Sequence, residues 1–297
     1  MYKKLLVFAG IVSSITGMEK SSAENYDKAS QVQKSNGQLL VEKYLPNIHD
    51  VEKVIDWGCG AGRQIEILSR KHPGVQFVGI DVNRNIINRA REHCEHLPNA
   101  NFYVGDACDY RPEQTYFEMA FIADIALCIS TAHWIKDQEK LLCNIAASLK
   151  KGGKVLVSMA GDDGHHMHPL KNAWKMVAQK DRWLPCLNQQ QEAPYYPTTT
   201  NKMQHMLNQA GLEATILKIT DQKRQFENRA KLKEWACGWV WSIPILNSLP
   251  QESRDIFINE LLEAYVDQIG SSKADGSITY SIPSLIFLAQ KKDEKTE

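Results

Sequence analysis

At 297 residues the chain is long enough for one large core, or for one core with a smaller lobe, because single cores stop growing near ~250–300 residues. Its 35 Lys and Arg balance 35 Asp and Glu, so no net field is available to gather a polyanion, which argues against a nucleic-acid partner. Seven cysteines, an odd number with no CxxC pair, point to a reducing compartment and away from structural zinc.

In chain order, Lys3 and Lys4 precede an uncharged run from Leu5 to Gly17 that resembles the front of a signal peptide. At 13 residues the run is too short to span a bilayer, so no stable membrane span is expected. Residues 1–22 are either an apolar leader of an exported protein, with a Ser21-Ser22-Ala23 site, or an upstream extension of a cytoplasmic one translated from Met18. Asn36 is the expected cap of a first helix through Leu39, Leu40, Val41 and Tyr44, ending before Pro46. Val51 to Asp56 reads as a buried strand, the stretch around Ile65 and Leu68 as a helix closed by Pro73-Gly74, and Val75 to Ile80 as a second strand. A helix over Asn85 to His96, strands over Ala100 to Val104 and Ile125 to Ile129, a helix over Lys136 to Leu149 and a strand over Lys154 to Met159 follow. Strand and helix alternation of this kind belongs to βαβ units around a parallel sheet.

Beyond Ala160 the chain turns aromatic and irregular, with a helix near Thr200 to Gln209, a strand over Leu212 to Ile219 and a last strand over Ile278 to Ala289. The expected organisation is a binding domain from residues 23–220 and 277–291, a helical substrate cap at 221–276, and a charged tail at 292–297.

The sharpest local signal is Val54 to Arg63, an apolar strand that passes through Asp56 into the turn Gly58-Cys59-Gly60-Ala61-Gly62. A dinucleotide fingerprint is GxGxxG, whereas this turn is GxGxG with Arg63 at the third glycine's place. Such a loop suits the methionine and ribose part of S-adenosyl-L-methionine better than a pyrophosphate. Asp56 is then an acceptor near the amino group, with main-chain groups of Gly58 to Gly60 around the ligand, although a tight strand-to-helix turn also needs glycine for steric reasons alone. Asp81, 25 residues on, ends the second strand. In a doubly wound sheet it faces the same crevice, where its two oxygens can accept both ribose hydroxyls; the plainer alternative is a helix N-cap. Asp106 ends the third strand and is placed to accept from an adenine amino group, or is a solvated turn residue.

In this order and spacing the segments IDWGCGAG, GIDVN, GDA and KKGGKVLVSM, spread over about residues 37–160, resemble class I S-adenosylmethionine-dependent methyltransferases. The resemblance implies an α/β, Rossmann-like, seven-stranded and mostly parallel sheet, its last strand antiparallel, with helices on both faces. It also implies cofactor contacts at Asp56, Gly58, Cys59, Gly60, Gly62, Asp81, Val82, Asp106, Ala107 and Ser130.

Asp124 to Ile135, with Ser130, His133 and Trp134, is similar to a segment of the trans-aconitate, malonyl-carrier-protein and juvenile-hormone-acid methyltransferases that passes beside the methyl-bearing sulfur. The likeness makes His133 and Trp134 the catalytic candidates: Trp134 to pack on adenine or substrate, His133 to orient an acid or act as a base, against a plain core role for both. Asn25 to Gln33 looks like the lid helix of the juvenile-hormone-acid type, so Tyr26 and Gln33 are substrate candidates. At the position after the final Asp-Gly turn where the trans-aconitate type often carries an arginine, this chain has Ser284-Leu285.

A carboxylate is already a nucleophile at neutral pH, which makes positioning the main task and a small-molecule acid the expected partner. Trp235 and Trp239 either cover the pocket or, standing at i and i+4, form the core of the lobe. His165, His166 and His168 suggest a lid loop more than a metal site, and no metal is expected. The competing readings are a cofactor-binding protein without turnover, and methylation of a hydroxyl, an amine or a protein.

Overall fold

β1 (Lys53–Trp57) lies in the middle of a seven-stranded sheet, between β2 (Gln76–Asp81) and β4 (Ala123–Ile129). β3 (Ala100–Val104) continues the sheet on one side; β5 (Leu149–Ala160), β7 (Ile278–Lys291) and β6 (Leu212–Phe226) continue it on the other, giving the order β3-β2-β1-β4-β5-β7-β6. The first five strands are parallel, and β7 runs antiparallel to both its neighbours. This computed structural model describes residues 31–109, 122–164, 168–187, 192–240, 243, 245–246, 249–269 and 275–292.

Burial on both faces explains why the central strands are continuous apolar runs rather than alternating ones, as in Val54-Ile55 and Ile125 to Cys128. On one face pack α1 (Gln31–Tyr44), α2 (Arg63–Lys71) and α3 (Arg84–His93), through Val41, Ile65, Leu68, Ile87 and Ala90. The other face takes α4 (Gln138–Ala147) and α6 (Thr200–Gln209) through Leu142, Ile145, Met203 and Leu207. The strand order reverses between β1 and β4, so a crevice opens at the carboxyl ends of these two strands, where ligands bind in open α/β sheets.

Asn36 does not cap the first helix: α1 starts by Gln31 and carries Asn36-Gly37 in its interior. A β-carbon at Gly37 would displace the end of the Gln64 side chain, which lies over this turn of α1, and would meet Ile129 of the sheet at 3.4 Å, an ordinary contact distance. The turn Lys151-Gly152-Gly153 lies within β5, where the pairing to β4 slips between Ala123 and Ile125.

A second core surrounds α5 (Pro169–Ala178), α7 (Arg229–Val240) and α8 (Gln251–Ile269), with Trp174, Trp183, Tyr195, Phe257, Tyr265 and Tyr280 packed among them. This lobe draws on two chain segments, one before β6 and one between β6 and β7, rather than on 221–276 alone. Residues 221–226 pair with β7 up to Phe226↔Ile278 and belong to the sheet.

Candidate active site

The carboxyl ends of β1, β2 and β3 form one edge of the crevice. At the end of β1, Gly58, Gly60 and Gly62 all have positive φ, the left-handed conformation that disfavours side chains. Gly62 shows the constraint most clearly: a β-carbon would lie 2.8 Å from the Phe102 ring and 2.9 Å from Ala90. At Gly58 a β-carbon would collide with Thr131, whose hydroxyl donates to the Gly58 carbonyl at 3.1 Å. Two of these glycines are therefore fixed by protein packing as well as by any ligand. The Gly58 and Cys59 amides are also taken, both donating to the Ile80 carbonyl.

Two carboxylates face this edge. Asp81 accepts from Gly60 N at 3.1 Å and from Asn83 N at 2.9 Å, so it braces the glycine turn and leaves lone pairs on both oxygens. Asn83, not Asp81, caps α3, accepting from the amides of Asn85 and Ile86. Asp56 is only 3% exposed, and burial, reinforced by the charge of Asp81, pushes its carboxyl up to about 7. Two acids held together this way favour a cationic ligand. Beside them Val82, 67% exposed, offers an apolar surface at the strand end. Cys59 and Ala107 are buried there, and Asp106 is exposed, its Oδ1 accepting from Cys108 N at 2.8 Å in a turn. A cationic sulfonium with an amino group, ribose hydroxyls and a flat base fits this set: acids for the charges and hydroxyls, Val82 for the ring.

Across Thr131 the edge passes into a cavity under the lobe, lined by Ser130, His133, Trp134, Tyr195, Arg224 and Trp239 among others. Ser130 has φ 58, the single non-glycine with positive φ among the described residues. Strain of that kind concentrates at functional sites and is worth of order 1 kcal/mol. It is held by Ser130 N donating to the Ser158 carbonyl at 2.7 Å.

His133 sits in the short 3-10 turn Ala132–Trp134 and is 9% exposed. Its Nδ1 accepts from the Ala160 amide at 3.2 Å, which places the ring proton on Nε2. Burial, aided by His168, holds its pKa down to about 3. Trp134 packs edge-on against Tyr195 at 5.0 Å and tilts against Trp239 at 5.9 Å, on the lobe side. Trp235 and Trp239 are both buried in the lobe core and part of the cavity lining, so the two alternatives for them hold together. His168 is no lid residue: its Nδ1 caps α5 through Leu170 N, and its Nε2 lies 3.3 Å from the Tyr195 hydroxyl. His165, His166 and Tyr26 lie outside the described residues; Gln33 falls on α1, but its side chain is also outside them.

Several lining residues had gone unassigned in the sequence: Tyr195, Gln222, Arg224, Tyr265 and Tyr280. Tyr265 and Tyr280 share a 2.6 Å hydroxyl contact. Burial holds the Arg224 guanidinium below its ordinary pKa.

A family model described as a methyltransferase domain matches residues 48–211. The trans-aconitate 2-methyltransferase of Variovorax paradoxus is 26% identical over 255 residues, which is 86% of this chain and 92% of that protein. A malonyl-[acyl-carrier protein] O-methyltransferase of Ilyobacter polytropus is 29% identical over 47% of this chain and 49% of its own. Among solved structures, phosphoethanolamine N-methyltransferase 2 of Haemonchus contortus, in complex with S-adenosyl-L-methionine, superposes with a TM-score of 0.55 at 18% identity, over 92% of this chain and 57% of that one. With the family match, the sheet order and the acidic glycine-turn edge in agreement, the chain belongs to the class I S-adenosylmethionine-dependent methyltransferases.

Proposed function

We propose that this enzyme methylates a carboxylate oxygen of a small-molecule acid. The observation that carries the reading is the wiring of His133. With Nδ1 occupied by the Ala160 amide, the ring presents only an Nε2–H, which donates a hydrogen bond and cannot take a proton from a substrate. A pKa held at about 3 keeps the ring neutral throughout the physiological range. His168 is wired the same way, its Nδ1 occupied by Leu170 N and its pKa lowered to about 4. A hydroxyl or ammonium acceptor needs a base at this point; a carboxylate does not.

The cofactor supplies an electrophilic methyl group. The residues of this chain then bind and orient: Ser130, expected as a cofactor contact, stands where the donor meets the cavity, and the His133 Nε2–H meets the acceptor carboxylate, while Trp134, Tyr195 and Trp239 exclude water from it. Transfer of a methyl from a cation to an anion removes both charges, so a dry aromatic cavity favours the transition state over the separately solvated reactants. Asp56, Gly58, Cys59, Gly60, Gly62, Asp81, Val82, Asp106 and Ala107 hold the donor at the strand edge. The relatives named for trans-aconitate and malonyl-carrier-protein methylation support the choice of acceptor.

The test is a mass-spectrometric screen of small acids, with the matching alcohols and amines as controls. The expected result is a gain of one methyl group on an acid. Methylation of alcohols or amines with every acid inert overturns the reading.

A further inference from the structure

Arg224 stands in the cavity wall without the partner its charge calls for. Its Nε and Nη1 are buried and meet no hydrogen-bond acceptor among the described residues, and no carboxylate of those residues acts on it. The indole Nε1 of Trp235, whose ring lies 4.9 Å under the guanidinium, is likewise buried and unpartnered. The stacked ring offsets part of the charge. Taking a guanidinium out of water without an anion is nevertheless unfavourable, and leaving its donors unmade adds to that. Nε and Nη1 point from different edges of the guanidinium, so each is a single charged donor that an anion entering the cavity can satisfy.

Its position separates it from the reaction centre. Arg224 faces Tyr280 across β6 and β7, whereas Thr220 faces Ser284, which in turn faces Ala160. Ala160 carries the amide bonded to His133, so the two levels are four residues apart along β7, on the order of 13 Å between backbones at strand spacing. Gln222, Arg224, Tyr280 and Ile282 line the same cavity as His133, along the length between them.

We propose that Arg224, with the Trp235 indole beside it, binds a second carboxylate of the substrate, remote from the oxygen that is methylated, so that the enzyme selects acids with an anionic group at both ends. This rests on the carboxyl reading above and adds which acids are chosen. The guanidinium comes from β6, not from the position after the Asp-Gly turn that Ser284 and Leu285 occupy.

The experiment titrates the protein, loaded with S-adenosylhomocysteine, with straight-chain diacids of about four to ten carbons and with the monoacid of each length, by calorimetry. At least one diacid is expected to bind tenfold or more tighter than its monoacid. R224Q is expected to bring that ratio to within twofold, and R224K to keep part of it. Ligand-free R224M, which keeps the stem and removes the charge, is expected to melt at or above the wild-type temperature. An unchanged ratio in R224Q, no diacid preferred over its monoacid, or a lower melting temperature for R224M overturns the proposal. Methylation of mono- and diacids alike by wild type and R224Q sinks this inference and leaves carboxyl methylation standing; methylation of alcohols or amines with every acid inert sinks both.

Discussion

The two sides of the active site are built with opposite electrostatics. At the strand edge, Asp56 and Asp81 face one another over a turn made mostly of backbone, and the local charge is negative. Under the lobe, the wall is aromatic, its two buried histidines are neutral, and the ionised group is the guanidinium of Arg224. In the proposed reaction a cationic donor and an anionic acceptor would each be drawn to their own end and meet near Ser130 and Thr131, where the Thr131 hydroxyl ties the loop after β4 to the glycine turn. Orientation of the two reactants is thus set by charge before any contact to the reacting atoms is made.

The strongest blow to this division is struck at the strand edge. Asp81→Ala removes a carboxylate that braces Gly60 and that the proposal assigns to the donor, and the loss of charge-assisted bonds there is expected to cost about 1.5–3 kcal/mol, roughly 10- to 150-fold in S-adenosylmethionine affinity. Asp162→Ala, outside the crevice, is the control, and calorimetry showing equal losses for the two would erase the distinction. On the acceptor side, His133→Ala is expected to lower kcat through misplacement by about 10²-fold or less, with cofactor affinity unchanged. A fall in cofactor affinity as large as that of Asp81→Ala would mean the two regions are not separate.

A smaller effect is read in pH. With its carboxyl pushed up to about 7, Asp56 is mostly protonated at pH 6 and mostly ionised at pH 8 in the free protein. Since the ionised form is the one that attracts a cation, affinity should rise about tenfold over this range and flatten in Asp56→Asn. The stability sign is opposite: between about pH 4 and about 7 the folded chain holds a proton that the unfolded chain has released, so this group makes the ligand-free fold less stable as pH rises through that window. The smallest effect concerns the first residues: a chain starting at Met18 should bind S-adenosylmethionine within about twofold of the full chain, and failure to bind would assign the leader a part in the fold.

The same division governs what could be read from sequence. The strand edge is local: each strand runs directly into its own acid or glycine turn, so Asp56, Gly58 to Gly62, Asp81 and Asp106 are contiguous with the apolar runs that position them. The cavity is not local, because His133, His168, Tyr195, Arg224, Trp239 and Tyr280 come from six separate elements or loops. Arg224 illustrates why it was missed. Apolar alternation stops after Ile219, which ends the strand on sequence grounds, yet β7 pairs with seven further residues to Phe226. Gln222 and Arg224 face inward there, and polar residues turned towards a ligand break the pattern that marks a strand. His168 was obscured differently: a histidine beside His165 and His166 suggests a shared loop role, whereas Pro169 at the first helical position makes it a cap.

The central claim, that the acceptor is already an anion and His133 only orients it, is tested most directly by the pH profile of kcat at saturating cofactor and acid. A rate nearly flat from about pH 6 to 9 is expected, because a carboxylic acid is ionised throughout that range and His133, with its pKa at about 3, stays neutral. A steep rise through about pH 6.5 in the wild type that disappears in His133→Ala would make His133 a base and contradict the claim.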